Sequence, residues 1–234
     1  MSDALDKVRG VRELPLFPLP LVLFPGVPLP LHIFEERYQR LLEDVRASNN
    51  LFGLSYFDPG ASIADQPEVG HIGCATEVVE AQALPDGRSN ILTVGLVRYR
   101  VAEYVESGEP YLVARVEFFE DEESDAGLLR KRTDEVTEMF MRIVRAMKSI
   151  NDERGTLPEL PRDDPERLSF LVAAVVEMEA GDKQGLLETR STAERLRRVY
   201  SLLAQAVEAY ETRARTHELA RGNGHAGKKI DFEE

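Results

Sequence analysis

The sequence is poor in cysteine, in basic residues and in long apolar runs, and each shortage excludes a class of protein. Cys74 is the single cysteine among 234 residues, so an internal disulfide is excluded. No apolar run approaches the roughly 18–20 residues that cross a bilayer. Residues 1–10 alternate charged and small side chains, without the apolar segment of a secretory signal. Together these features predict a cytoplasmic protein with no membrane segment.

Basic residues are outnumbered by acidic ones. The chain has 29 Lys and Arg against 42 Asp and Glu, which gives a formal net charge of −13 and a pI of about 4.9. A protein that binds nucleic acid has to neutralise phosphates with a basic surface. The charge therefore argues against a nucleic-acid partner.

The stretch 13–38 organises the chain. Each of its six prolines follows a large apolar residue, at Pro15, Pro18, Pro20, Pro25, Pro28 and Pro30. Proline fixes φ and has no N–H group, so this stretch is neither an ordinary helix nor the interior of a central strand. Because most of its side chains are apolar, most of it has to be covered by the rest of the protein. It predicts short extended pieces, broken at residues 18–20 and at Pro25-Gly26, that begin a closed sheet.

Alternating apolar and polar positions predict four further strands. They cover residues 51–57, 70–84, 89–105 and 111–119. Pro85-Asp86-Gly87 predicts a turn, with Gly87 at a position of positive φ. Gly95, inside a strand pattern, predicts a bulge or a bend. The period of two and the tight turns favour an antiparallel sheet curled into a barrel.

Helical periodicity marks the second half of the chain, after an acidic linker at 120–125. A short amphipathic helix is also predicted earlier, over 35–47. Asp164 and Pro165 predict a helix start with an N-cap and a proline at the first position. Ser191 to Glu194 form a capping box at the start of the last helix, and a short helical piece is predicted over 183–187.

These patterns predict an α+β protein in four parts. They are a flexible N-terminus over 1–11, a barrel over 12–120, a helical bundle over 121–217 and a disordered tail over 218–234.

Several unusual features occur together in one order. They are Leu-Pro-Leu-Phe-Pro at 14–18, Pro-Gly at 25–26, Pro-Leu-His-Ile-Phe-Glu at 30–35 and Arg-Tyr at 37–38. This run resembles the start of the Lon-type substrate-binding domain, which occurs at the N-terminus of Lon proteases, inside cereblon and alone in many bacterial proteins. Asp-Lys-Gln-Gly-Leu-Leu-Glu at 182–188, followed by Arg195-Leu196, is similar to the later part of the same family. The resemblance covers residues 12–212 and implies an antiparallel β-barrel of the PUA-like kind, followed by a helical bundle.

No enzymatic activity is predicted. The Lon ATPase needs a G-x-x-x-x-G-K-[ST] loop that cradles phosphates, and the sequence has none. The Ser–Lys protease domain of Lon would need further length. No cofactor and no metal are predicted: His71 and Cys74 have H-x-x-C spacing, but a zinc site needs about four ligands, and Cys74 is interpreted as a small buried hydrophobe.

Two other groups of residues invite a functional interpretation. His32 with Glu35 and Glu36 could form an acid–base pair, but a histidine where a strand enters a helix more often bonds nearby backbone. Arg98, Tyr99 and Arg100 resemble the basic and aromatic patch of an RNA binder. The net charge favours a solvated strand face instead.

The apolar loop over 19–25 carries the predicted binding site. Rigid apolar groups between prolines lose little entropy on binding, so Pro20, Leu21, Phe24 and Pro25 are candidate contacts for an unfolded or extended polypeptide. The alternative is that these residues pack in the core.

Three functions are compatible with the sequence. By resemblance, the chain is a non-catalytic module that recognises polypeptide or acts as an adaptor with a protease or chaperone partner. Strand addition at a sheet edge or contact with the apolar loop would be its binding mode. An RNA-binding protein of PUA-like fold is the alternative, and a small-molecule enzyme is the third.

Overall fold

The computed structural model describes residues 3–58, 60, 66–153 and 155–224, with side chains up to residue 219. Its elements, in chain order, are α1 (Asp3–Lys7), β1 (Glu13–Leu19), β2 (Pro28–Ile33), α2 (Glu36–Ala47), β3 (Leu51–Tyr56), β4 (Ile72–Ala83), β5 (Ser89–Val105), β6 (Leu112–Phe119), α3 (Ala126–Ile150), α4 (Pro165–Val175), α5 (Ala180–Glu188) and α6 (Thr192–Gly224). The predicted α+β class is confirmed, and the four strands predicted by alternation match β3 to β6 within two residues at each end.

The strands form one sheet that closes on itself. Their order is β2-β5-β4-β3-β1-β6, and β6 also pairs with β5, so the last five strands of this order form a ring. The pairing of β1 with β3 is parallel, because β2 and α2 form a crossover between them, and the other pairings are antiparallel. The predicted antiparallel barrel thus contains one parallel pair.

The longest strand, β5, connects the ring to an extension of the sheet. One edge of β5 pairs with β4, and its other edge pairs with β2 over Ser89 to Val94 and with β6 over Arg98 to Val105. β2 therefore lies outside the ring. Among the described residues it pairs with β5 alone, and these two strands with the end of β4 form a three-stranded extension.

Two prolines lie inside β1, which has a partner strand on each side. The carbonyl of Arg12 accepts a hydrogen bond from β6 and that of Leu19 accepts one from Phe57, so even-numbered residues face β6 and odd-numbered ones face β3. β1 pairs with β6 only up to Leu16 and with β3 only from Leu16 onward. The missing N–H groups of Pro15 and Pro18 each point to the side where β1 has no partner. This stagger lets an interior strand contain two prolines.

Helix α2 covers the inner face of the extension. Its buried side chains Tyr38, Leu41, Leu42 and Val45 pack in one cluster with residues of the sheet, including Ile33 of β2. The rings of Tyr38 and Phe17 lie 3.9 Å apart between centroids. The inner face of β2 is therefore part of the core, and its opposite face is directed away from α2.

Local irregularities of the β4–β5 pair agree with the glycine pattern. Gly87 has a φ of 85° in the turn, as predicted. The register shifts beside Gly95, where Leu96 is the extra residue of β5, so the predicted bulge is confirmed. A second shift leaves Val79 of β4 unpaired and exposed.

The chain divides into two compact units, one formed by residues 1–123 and 169–192, the other by residues 124–168 and 193–234. Residues 169–192, which the sequence-based division placed in the helical bundle over 121–217, group with the sheet. Asp3–Lys7 is helical and Val8 is buried beside Leu14, within the predicted flexible N-terminus. Helix α6 continues to Gly224, past the predicted start of the tail at 218, and residues 225–234 lie outside the described residues.

In the second unit, α3 and α6 run parallel. Arg142 bonds Glu211 through two nitrogens and Ser149 bonds Glu218, and each pair is separated by 69 positions. A constant separation requires the two helices to point the same way.

The start of α4 is as predicted, because the Asp164 carboxylate accepts a hydrogen bond from the backbone N–H of Arg167. Within the described residues, no helix is both long and apolar enough to cross a membrane.

Candidate functional site

The four predicted contact residues differ in their exposure to solvent. Pro20 is exposed, Leu21 and Pro25 are half-buried, and Phe24 is completely buried. The Phe24 ring lies 5.9 Å from that of Phe170, which comes from the part of α4 that groups with the sheet. This burial removes Phe24 from the predicted contact surface, because a buried ring presents no area to a ligand. Leu21 also packs partly against a buried cluster that contains Leu23.

Hydrogen bonds to β5 fix the backbone of this loop. The N–H of Gly26 donates to the carbonyl of Gly95 at 2.8 Å, and the N–H of Gly95 donates to the carbonyl of Val27 at 3.0 Å. A Cβ on residue 95 would lie 2.4 Å from the carbonyl oxygen of Phe24, closer than atoms can approach. Glycine at 95 thus permits the loop to lie against the sheet, and the loop is a packed element of the unit.

A different surface is more accessible. Antiparallel partners lie on the same face of a sheet, so β2 and β5 share three outward pairs. We call this surface the outer face; it comprises Pro28 with Val94, Pro30 with Leu92, and His32 with Asn90. Pro28, Pro30, His32 and Asn90 are exposed, and Leu92 and Val94 are half-buried.

Phe34 extends the outer face beyond the end of β2. Its ring stacks on that of His32 with centroids 6.1 Å apart and remains 61% exposed. His32 is held in turn by a 2.7 Å hydrogen bond between its Nδ1 and the Oδ1 of Asn90. A large exposed aromatic ring held in place by its neighbours is typical of a binding surface rather than of a core. The sequence signal for this surface is the alternation in Pro-Leu-Pro-Leu-His-Ile-Phe at 28–34, where every second residue points outward.

The free edge of β2 cannot serve strand addition in the usual way. The carbonyl of Val27 accepts a hydrogen bond from β5, so the odd-numbered residues of β2 bond β5 and the even-numbered ones face the free edge. Two of these even-numbered residues are Pro28 and Pro30, which have no N–H group. Only His32 retains a backbone donor on this edge. The strand-addition mode considered from the sequence is therefore disfavoured at β2.

The charged residues of β4 beside the outer face are acidic. Glu80 of β4 lies directly opposite Leu92 and is exposed, and no ion pair of Glu80 occurs among the described residues. Glu77, opposite Val94, pairs with Lys7 at 2.6 Å. A hollow of about 510 Å³ lies here, lined by Glu80, Gln82, Asn90 and Leu92 together with Ala81 and Ile91.

The predicted solvated face at Arg98, Tyr99 and Arg100 is wrong for two of the three residues. Tyr99 is buried, and its hydroxyl bonds that of Ser55 at 2.6 Å. The Arg98 guanidinium is buried too; it forms an ion pair with Asp121 and donates to the carbonyls of Leu187 and Thr189 at 3.1 and 3.0 Å.

Only Arg100 of that group is exposed, so the basic and aromatic patch does not exist as a surface. Sequence reasoning missed the role of Arg98 because its partners lie up to 91 positions away.

Comparison with known proteins identifies the family. A sequence profile described as the ATP-dependent protease La (LON) substrate-binding domain matches residues 13–205. The chain belongs to this family. It is 27% identical to Lon protease from Dictyoglomus thermophilum over 218 residues, and 28% identical to Lon protease from Trichlorobacter lovleyi over 224 residues. These alignments cover 88% and 92% of the chain, but it spans only 26% and 27% of the length of these relatives.

Solved structures of Lon N-terminal domains share the fold. A Lon N-terminal domain protein from Xanthomonas campestris has a TM-score of 0.58 at 23% identity, and the N-terminal domain of Mycobacterium avium complex Lon protease has a TM-score of 0.63 at 14% identity. Each comparison covers 82% of this chain and 98% of the other. The barrel and helices of this Lon-type domain are thus shared with domains whose sequences have diverged widely.

The remaining candidate residues of the Lon-type domain are Cys74, His71, Glu35 and His32. Cys74 is buried, and burial raises the pKa of its thiol to about 12. His71 precedes β4 and is half-buried, and burial lowers its pKa. In the parts of the chain that the structure describes, no three His, Cys, Asp or Glu side chains cluster as metal ligands would. Glu35 pairs with Arg37 at 2.9 Å, and His32 bonds the side chain of Asn90 instead of the expected backbone group.

Proposed function

We propose that this Lon-type domain is a non-catalytic module that recognises unfolded or extended polypeptide. The observation that carries the proposal is the family match over residues 13–205, because the matching profile describes a substrate-binding domain of a protease. A protease takes polypeptide as its substrate. A shared fold alone does not carry a function, so the proposal rests on this sequence match and on the surface described above.

The outer face suits this role physically. It offers exposed proline and aromatic groups that are held by the backbone and by neighbouring side chains, so little conformational entropy is lost when a chain binds. An unfolded chain exposes apolar side chains that a folded protein buries, and contact with a rigid apolar surface distinguishes the two.

The proposal includes the absence of turnover by this chain. The sequence contains no G-x-x-x-x-G-K-[ST] loop to hold ATP, and the match is to the substrate-binding domain. The domain would then act as an adaptor and present bound polypeptide to a protease or chaperone partner. The RNA-binding alternative loses its main sequence feature, since Arg98 and Tyr99 are buried.

Binding to unfolded and native forms of one protein tests the proposal. Fluorescently labelled lysozyme, either native or reduced and alkylated with iodoacetamide, provides two probes of nearly equal charge. Because lysozyme is basic and the chain is acidic, nonspecific attraction of both probes should decline between about 50 and about 300 mM salt, and we expect the rise in anisotropy with the unfolded probe alone to persist at the upper end of this range. Equal binding to both probes, or to neither, would contradict the proposal. A labelled single-stranded RNA tests the alternative, for which affinity should fall steeply over the same salt range.

A further inference from the structure

We infer that the outer face, with Phe34 and Glu80 beside it, selects apolar segments that adjoin lysine or arginine. This inference rests on the proposed polypeptide recognition and states which polypeptides the domain prefers. It assigns a contact surface that differs from the loop at 19–25.

The apolar part of the surface is continuous across two strands. Pro28 lies opposite Val94 and Pro30 opposite Leu92, so the four side chains are adjacent on one face. The ring of Phe34 follows at the end of β2 and is 61% exposed. Two rigid prolines and a supported ring present apolar area without the flexible side chains that would lose entropy on contact.

The charged groups around the surface leave one carboxylate, that of Glu80, without an ion pair among the described residues. Glu80 and Glu77 are the ionised groups of β4 that lie opposite Leu92 and Val94, and Glu77 is already paired with Lys7. Farther along, Arg88 is paired with Asp86 and Arg37 with Glu35. The positions of the outer face itself hold no lysine or arginine. Glu80 is thus the carboxylate placed to attract a cationic side chain that flanks a bound apolar segment.

The blocked edge of β2 determines how such a segment is recognised. Because Pro28 and Pro30 supply no donors at the edge, a client cannot gain the repeated backbone hydrogen bonds of strand addition. Recognition therefore depends on side chains, and side chains can select for composition. The domain would therefore distinguish one polypeptide segment from another by its apolar side chains and by the charge next to them.

Three labelled peptides test the charge preference. They share one Leu- and Phe-containing core and differ in their flanks, which are lysine, glutamine or glutamate. We expect the lysine-flanked peptide to bind most tightly and the glutamate-flanked peptide least, with about two- to fivefold between successive peptides at low salt. In Glu80→Gln the preference should shrink, whereas Glu117→Gln, an exposed carboxylate of β6, should leave it unchanged. An equal preference in wild type and Glu80→Gln would overturn the charge assignment.

Two matched substitutions test the apolar surface. Phe34→Ser removes a side chain that is 61% exposed, and Val175→Ser removes one that is 59% exposed elsewhere in the first unit. We expect Phe34→Ser to weaken peptide binding by about fivefold or more and Val175→Ser to leave it unchanged. Pro30→Ser provides a second variant at an exposed position, and the melting temperature of each variant confirms folding.

The outcomes separate this inference from the proposed function. If the wild-type chain binds the peptides and Phe34→Ser and Pro30→Ser bind them equally well, the outer face is not the contact surface, while polypeptide recognition stands. If the wild-type chain binds neither the peptides nor unfolded lysozyme, both are wrong.

Discussion

The guanidinium of Arg98 and the carboxylate of Asp121 form an ion pair from which water is almost excluded. Their side chains are 1% and 4% exposed. Arg98 also lies over the rings of Phe119 and Phe170, at 4.8 and 5.3 Å from their centroids. The hydroxyl of Thr192 donates to the same carboxylate, so β5, the end of the sheet and the residues after α5 meet at one buried charge.

Breaking this ion pair from either side should destabilise the first unit strongly. Arg98→Ala leaves a buried carboxylate without its cation, and Asp121→Ala leaves a buried guanidinium without its anion. We expect each to lower the free energy of unfolding by about 3–5 kcal/mol. Denaturant unfolding followed by circular dichroism measures the change. Arg100→Ala, at the exposed neighbour, should change the free energy of unfolding by no more than about 0.5 kcal/mol. If Arg100→Ala destabilised the protein as much as Arg98→Ala, the effect would come from loss of a positive charge and not from the buried ion pair.

Phe24→Ser should act on folding rather than directly on a bound peptide. The change removes a buried aromatic ring from its contact with Phe170 and should cost about 3–5 kcal/mol. For a chain of this size, the melting temperature should fall by about 6–20 °C. Pro20→Ser, at an exposed position of the same loop, is the matched control and should change it little. An unchanged melting temperature in Phe24→Ser would return Phe24 to the candidate contacts.

Alanine at two glycines should have opposite effects on stability. At position 95 a Cβ would meet the carbonyl of Phe24 at 2.4 Å, so Gly95→Ala should destabilise by about 1–3 kcal/mol as the loop is pushed from β5. At position 185, inside α5, a Cβ has no atom within 4 Å outside its own helix. Gly185→Ala should therefore stabilise by about 0.5–1 kcal/mol through the better helix propensity of alanine. Thermal unfolding of both variants checks the two signs together.

The stability of the protein should decrease as the pH falls through the ordinary range of histidine. Burial lowers the pKa of His71 below 6.5, while Glu188 and Glu68 oppose this shift. Between the lowered folded pKa and the unfolded pKa of 6.5, the unfolded chain binds more protons, so stability is lost as the pH falls.

The stability of His71→Gln should depend less on pH in this window. The difference between the two unfolding curves, measured from about pH 7.5 downward, isolates the contribution of His71. A difference that grows in favour of the wild-type protein at lower pH would reverse the sign.

The Cys74 thiol should react only when the chain unfolds. It is buried, and its pKa is raised to about 12 by burial, so the reactive thiolate is scarce at neutral pH. We expect Ellman's reagent to label one thiol in guanidinium chloride and to label native protein at the rate of unfolding. Rapid labelling under native conditions would show that β4 opens locally.

Local patterns predicted the elements whose hydrogen bonds are short-range. The turn at Gly87 and the Asp164 cap follow from conformational preferences of one or two residues, and the structure shows both. The stagger that admits Pro15 and Pro18 into β1 depends on where the pairings of β1 with β3 and with β6 begin and end. A rule applied to β1 alone excludes those prolines from an interior strand.

The candidate surface was predicted less well because contacts between residues distant in sequence decide which of its side chains are exposed. Phe24 is buried and its ring lies against that of Phe170, which comes 146 positions later, so no pattern within 19–25 could reveal this contact. The outward alternation of residues 28–34 is visible in the sequence. It becomes informative only when the pairing of β2 with β5 shows which set of side chains α2 covers.

If the domain binds unfolded chains as proposed, the prolines of β2 have a further consequence. Extended segments with exposed apolar groups are also those that stack into cross-β aggregates, and an open strand edge is the template on which such stacking starts. With no donors at Pro28 and Pro30, the edge of β2 lacks most of the N–H groups that a continuous ladder needs. Under the proposed function, a chain held on the outer face would lack this backbone pairing and could dissociate, so the prolines of β2 would oppose growth of an aggregate on the domain.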